Sequence, residues 1–200
     1  NSFSAPSESA VSIQGAEKLF SAARALTGSE IKEIIGRFGR TAALAEAAGF
    51  DGVQIHGAHG YLLSQFLSPL VNKRQDEWGG PLENRARMLL ETVKAVRSAV
   101  SPSFAVSVKL NSADFQKGGF TLEDAKWVVQ QLTGLGVDLV ELSGGSYESP
   151  AMTGAAEDAS GGAKASTMRR EAYFVDFARE IASVATIPTM VTGGITKHDT

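Results

Sequence analysis

The chain has 200 residues, 43% of them hydrophobic and 20% charged, with a formal net charge of -3 and no cysteine. This is the composition of an ordinary globular chain long enough for one core. It excludes the basic footprint of a nucleic-acid or anionic-membrane binder, as well as disulfides and thiolate metal sites, and no apolar run approaches the roughly 20 residues of a membrane span.

Residues 1–26 are rich in Ser and Ala, contain Pro6 and lack a sustained period, so they read as a loop or terminal arm. Thr27 with Glu30 forms a capping box that satisfies amide donors of a first helical turn. Ile31, Ile34, Ile35, Phe38, Ala42 and Ala45 follow at helical spacing, and Gly49 supplies the stop. Phe50 to His56 alternates and predicts a strand. Pro81 to Val100 predicts a helix whose apolar face is Met88, Leu89, Val93, Val96 and Val100. Within this helix Glu83, Arg85, Arg87 and Glu91 read as helix-surface and loop ion pairs that hold the segment Asn72 to Gly80 in place, and Trp78 before it reads as packing beneath that loop. Phe104 to Leu110 is the next strand, Thr121 caps a helix reaching about Gly134, and Val137 to Leu142 is a strand. Arg170 to Ala185 predicts a helix and Ile187 to Thr192 a final strand. The stretch from Ser143 to Met168 exceeds an ordinary connection, and such loops usually serve function.

Strands alternating with helices imply right-handed crossovers and a parallel sheet. A doubly wound sheet would favour a GxGxxG turn, which is absent. A (β/α)8 TIM barrel places functional groups at the carboxyl ends of several strands. This sequence does so four times: HGAHGY after the first strand, Lys109 and Asn111 in the second, SGG after the third and TGG after the fourth. The fold class is therefore α/β, a partial TIM barrel of four βα units over residues 27–200. The chain opens at Asn1 and stops at Thr200 beside a strand-like run, which reads as an excerpt of a longer barrel of about 250 residues.

His56, His59 and Tyr61 form the best candidate constellation. His56 ends a strand, while Gly57 and Gly60 loosen the chain around His59. Two imidazole N–H donors aimed at one oxygen stabilise an oxyanion, and one such donor is typically worth about 2.7–4 kcal/mol in a transition state. A phenol is protonated at neutral pH and can act as an acid. Metal ligation is disfavoured, because the glycines break the helical face that presents paired histidines and only His198 offers a third imidazole. Spacing alone also admits two structural histidines beside an incidental Tyr. Lys109, mid-strand between Val108 and Leu110, requires an anionic answer, an acidic partner, or an outward turn. Gly193 and Gly194 end the last strand with amides that can receive a phosphate, although a double Gly also suits an ordinary turn.

The run GFDGVQIHGAHGYLLSQFLSPLVNKRQDEWGGPLENRARMLLE, from Gly49 to Glu91, resembles the central segment of the old yellow enzyme (NADH:flavin oxidoreductase) family. VSVKLNSADF around Lys109, ELSGG at Glu141 to Gly145 and MVTGGI at Met190 to Ile195 extend the resemblance over nearly everything after Thr27. It implies an FMN-binding eight-stranded barrel that reduces alkenes conjugated to carbonyl or nitro groups, with NADPH or NADH as reductant. By position, the resemblance implies that His56 and His59 bind the activating oxygen and Tyr61 donates the proton. It places Lys109, where members often carry Arg, beside the flavin pyrimidine edge, and Gly193 and Gly194 near the flavin phosphate. Trp78 stands where the family often has Tyr, in Gln75 to Gly80 against TDEYGG, a structural departure.

Three other readings compete. One is a flavin and iron–sulfur relative, a 2,4-dienoyl-CoA reductase or amine dehydrogenase, whose cluster cysteines lie downstream of this segment. Another is a half-barrel module without catalysis, and the third a metal-dependent barrel hydrolase. The flavin reading implies a small-molecule alkene as partner and a cytoplasmic location, which a chain without cysteine fits. The stretch alone leaves barrel-interior surface uncovered, so self-association is expected, and tight FMN binding or turnover by the piece alone is not.

Overall fold

The computed structural model describes residues 4–5, 24–144 and 176–192. Ten of the elements are β1 (Ser4–Ala5), β2 (Arg24–Ala25), α1 (Gly28–Ala47), β3 (Gly52–Gly57), α2 (Leu62–Leu67), α3 (Leu82–Ala99), β4 (Ala105–Asn111), α4 (Leu122–Thr133), β5 (Leu139–Ser143) and β6 (Thr189–Val191). A further helical segment, α5, is described over 176–182. The helix predicted from Arg170 therefore begins outside the described residues.

Local chemistry sets the helix starts. Thr27 caps α1 and Thr121 caps α4, each in a complete capping box, with Glu30 and Asp124 returning the bond to the cap's own amide. Pro81 starts α3 in extended backbone, as expected of a residue that cannot donate an amide. After α1 the chain turns through Gly49 at a φ of 88°, a left-handed position that suits glycine. Within the stretch read as a loop or terminal arm, two described segments are paired. Residues 4–5 and 24–25 pair as a short parallel ladder, Ser4 opposite Arg24 and Ala5 opposite Ala25.

Four strands form one parallel sheet in the order β3-β4-β5-β6. Spatial order follows chain order without reversal, whereas a doubly wound sheet reverses at a switch point. Crossovers of one hand running in one direction put every helix on the same side. The result is an arc of a parallel barrel with helices outside. Val106, Val108 and Leu110 of β4, with Val140 and Leu142 of β5, point outward into a core shared with Leu89, Val93, Val128 and Leu132. Helix α1 approaches α3 closely at Gly39, where a Cβ would stand 3.0 Å from the Ala95 carbonyl oxygen. Among the described residues, no helix is long and apolar enough to cross a membrane.

The segment between α2 and α3 is fastened by side chains. Asn72 Nδ2 donates to the carbonyls of Phe66 and Trp78 at 2.8 Å each. Arg74 grips Asp76 through two nitrogens and reaches the Leu26 carbonyl at 2.7 Å. Arg85 donates to the Leu67 and Gly80 carbonyls, and Arg87 to the Glu77 carbonyl. Trp78 is buried under this segment. Glu91 forms a helix-surface ion pair, with Lys94 on the exposed face of α3.

Candidate active site

Side chains on a strand alternate between faces, so Gln54 and His56 of β3 face opposite to Ile55. The same alternation puts Ser107, Lys109 and Asn111 of β4, and Glu141 and Ser143 of β5, on the inner face of the arc. Register then aligns them. His56 lies beside Lys109, Lys109 beside Glu141, and Glu141 beside Met190, one row across four strands. One step nearer the carboxyl ends, Asn111 pairs with Ser143.

The chain leaves β3 through Ala58 and then bends sharply. His59 adopts a φ of 62° and Gly60 a φ of 75°. Left-handed backbone at a residue with a Cβ is disfavoured and persists where surroundings hold it. Here His59 N donates to Asn111 Oδ1 at 3.2 Å, and Gln65 Nε2 donates to the Gly60 carbonyl at 2.7 Å. The bend turns the His59 ring back over the strand ends, where its Nε2 lies 2.7 Å from Ser143 Oγ. The His56 and His59 rings meet edge-on with centroids 5.2 Å apart, and the His56 and Tyr61 centroids are 4.8 Å apart. Tyr61 is 46% exposed and sits at the start of α2. His56, His59 and Tyr61 thus gather at the carboxyl end of β3.

Lys109 lies beside His56 on the neighbouring strand. Its Nζ donates to Glu141 Oε1 at 2.8 Å, so the strand lysine has an acidic partner within the fold. The other oxygen of Glu141 receives Gln54 Nε2 at 2.8 Å. Gly193 and Gly194 lie outside the described residues, as do His198 and nearly all of the long segment after Ser143.

Electrostatics keep the two rings neutral. Burial lowers the His59 pKa to about 4, helped by Lys109 and by His56 and opposed by Glu141. Burial also lowers the pKa of His56, with Lys109 adding to the effect and Glu141 opposing it. Burial works against ionisation of Glu141, but hydrogen bonds from Lys109, Thr192 and Gln54 override it and bring that carboxyl to about 2. The site therefore holds one buried ion pair and two neutral imidazoles. His56 Nδ1 is buried and has no hydrogen-bond partner among the described residues. Neutral imidazoles and a phenol can bind an oxygen and pass a proton to it or beside it.

Sequence reasoning placed Ser143 at a functional strand end, within SGG, but missed Glu141 and Gln54 as site residues. Glu141 carried the same signal as Lys109, a charge inside an apolar strand, Leu139 to Ser143. Its pairing needed the register of β4 on β5, which no local pattern states.

The model of the NADH:flavin oxidoreductase / NADH oxidase family matches residues 2–200. An NADH-dependent flavin oxidoreductase of Hypocrea jecorina is 42% identical over 179 residues, covering 88% of this chain and 43% of the relative. An NADPH dehydrogenase of Bacillus licheniformis is 44% identical over 126 residues, covering 60% of this chain and 35% of the relative. The chain spans less than half the length of these relatives. Among solved structures, a 2-naphthoyl-CoA reductase bound to 2-naphthoyl-CoA aligns with a TM-score of 0.70 at 28% identity, over 94% of this chain and 30% of that one. A histamine dehydrogenase from Rhizobium sp. 4-9 aligns with a TM-score of 0.69, also at 28% identity, over 88% of this chain and 24% of that one. A family match along nearly the whole sequence, on a parallel arc whose polar residues converge at the strand ends, leaves one assignment: the chain belongs to the NADH:flavin oxidoreductase / NADH oxidase family.

Proposed function

We propose that the full-length protein is an FMN-dependent oxidoreductase, driven by NADPH or NADH, that reduces alkenes conjugated to a carbonyl or nitro group. The observation that carries this reading is the cluster of two neutral imidazoles and a phenol at the end of β3, with His56 Nδ1 buried and unpartnered among the described residues. A buried polar atom without a partner costs about 1–3 kcal/mol, which an arriving substrate oxygen offsets. His56 and His59 hold that oxygen as N–H donors. For His59 this fixes a tautomer: Ser143 Oγ–H donates to Nε2, and the proton sits on Nδ1. Tyr61, near the mouth, delivers the proton to the carbon next to the activating group.

The residues present fit a flavin. Lys109 places a cation on the inner face beside the histidines, a suitable partner for the electron-rich edge of a flat heterocycle. Gly193 and Gly194 would receive its phosphate. Bound FMN supplies the hydride, and the protein contributes orientation and charge placement. As hydride reaches the β-carbon, negative charge grows on the activating oxygen, where the two imidazole donors stabilise it.

Relatives at 42% and 44% identity are named an NADH-dependent flavin oxidoreductase and an NADPH dehydrogenase, which supports the reductant in this reading. A cytoplasmic location accords with a chain free of cysteine. The test is an absorption spectrum of the purified full-length protein. The visible flavin bands should appear, bleach on addition of NADPH or NADH and return with cyclohexenone. A colourless protein, or bands that NAD(P)H bleaches and cyclohexenone never restores, overturns the proposal.

A further inference from the structure

The centre of the inner face is a carboxylate. Glu141 is 6% exposed and receives donors from three directions. Lys109 Nζ approaches from β4 at 2.8 Å, Gln54 Nε2 from β3 at 2.8 Å, and the Thr192 side chain from beyond β6. One carboxylate thereby joins groups from β3, β4 and the residue that follows β6. Buried charge of this kind is costly unless paired and fully hydrogen-bonded, and here the donors meet that demand. Lys109 is different. Its ammonium has three N–H donors, and among the described residues Glu141 is the partner that fixes its direction.

We propose that Glu141 is the positioning residue of this site, holding the Lys109 ammonium against the seam between β4 and β5 and cancelling its charge at the histidine pair. This rests on the reading of Lys109 as the flavin-side cation, but its effect on the histidines does not. Lys109 lies beside His56 in register, and Glu141 lies one strand further along the same row. A cation alone in that row disfavours protonation of both rings. A cation with a carboxylate 2.8 Å away acts as a dipole with a weaker reach. Glu141 therefore offsets the Lys109 charge while leaving a directed N–H donor in place. A redox group beside Lys109 would sense the same balance, because local positive charge favours its more negative, reduced form.

The test uses the full-length protein with Glu141→Gln, Lys109→Met and the double variant. Histidine titrations are followed by NMR in the flavin-free protein. Glu141→Gln is expected to move both site histidines to lower pKa and Lys109→Met to higher pKa, with the double variant between the two. In the flavin-loaded protein, the midpoint potential is expected to rise in Glu141→Gln and fall in Lys109→Met. A merely structural role for Glu141 would move neither readout in a charge-ordered way. If Glu141→Gln does not fold, comparison of the double variant with Lys109→Met isolates the carboxylate in the same manner. Folded Glu141→Gln with wild-type histidine titrations, or a double variant indistinguishable from Lys109→Met, overturns the inference. A protein that takes up no flavin overturns the proposed function instead, and the histidine titrations still decide the role of Glu141.

Discussion

His59 Nε2 and Ser143 Oγ, separated by 2.7 Å, connect the bend after β3 to the last residue of β5. The bond spans 84 positions of sequence and crosses β4, so it holds only while three strands keep their register. It fixes the ring of a residue whose backbone is itself held in a left-handed conformation. Ser143→Ala removes the bond and lets the imidazole choose either tautomer. A net hydrogen bond of about 0.5–1.5 kcal/mol corresponds to a loss of roughly 2- to 12-fold in kcat/KM for alkene reduction. Stopped-flow measurement of alkene-dependent flavin reoxidation in the full-length protein checks this. A Ser143→Ala rate equal to wild type would show that the bond plays no part in aligning His59.

Acid should weaken the fold in two windows. His59 has a folded pKa of about 4 against an ordinary value of 6.5, so the unfolded chain binds the extra proton between them. Its contribution is complete above pH 6.5 and disappears as pH falls to about 4. Glu141 is lowered from 4.5 to about 2, so its contribution is present above pH 4.5 and is lost as pH falls through about 2. Urea midpoints measured across this range should decline first in the histidine window. In His59→Gln the decline between pH 6.5 and 4 should be shallower, and an identical slope in both proteins contradicts the assignment.

Much of the frame was legible because its signals are local. Thr27 with Glu30 announces α1, and Thr121 announces α4 by the same device. Helix α2 was missed. Its six residues are too few to show a helical period, and Tyr61 before it makes no side-chain cap. The ladder of β1 and β2 is two residues long, below any periodic signal. For the site, the motif around His56 and His59 could be read, since both sit on one strand and the loop that leaves it. The anion that answers Lys109 could not, because Glu141 reaches it only through strand pairing 32 residues away along the chain, from 109 to 141.

Gly79 and Gly80 are adjacent, yet each should resist substitution for its own reason. At Gly79 a Cβ would stand 2.5 Å from both Arg74 Cβ and the Arg74 carbonyl oxygen, and 2.8 Å from Asn72 Oδ1. Gly79→Ala must therefore displace the clasp of Asn72 and Arg74, at a cost of about 1–3 kcal/mol. At Gly80 nothing lies within 4 Å, but φ is +83°. Gly80→Ala pays only the left-handed penalty, about 1–2 kcal/mol. Chemical denaturation gives both values. A second difference should appear in limited proteolysis of residues 72–80, with faster cleavage in Gly79→Ala than in Gly80→Ala; equal rates contradict the steric account.

Arg85 should prove the least replaceable of the basic residues on α3. Its side chain is 9% exposed, donates to the carbonyls of Leu67 and Gly80, and stands 3.6 Å from Asp124 at the start of α4. It therefore ties the end of α2, the turn before α3 and the first turn of α4 through one planar group. Lysine's three donors radiate from one nitrogen and do not reproduce the planar fork that serves two separated carbonyls. Arg85→Lys leaves at least one buried acceptor unmet, at a cost of about 1–3 kcal/mol, and Arg85→Met leaves both unmet and costs more. Arg87→Lys is the control, because Arg87 is exposed where it holds the Glu77 carbonyl and should cost no more than about 1 kcal/mol. Because Asn72 and Arg85 anchor opposite ends of the same segment, the two should also couple. In a double-mutant cycle, Asn72→Ala with Arg85→Met should cost less than the sum of the single changes. Strict additivity would mean that the segment is held by independent bonds and does not behave as one unit.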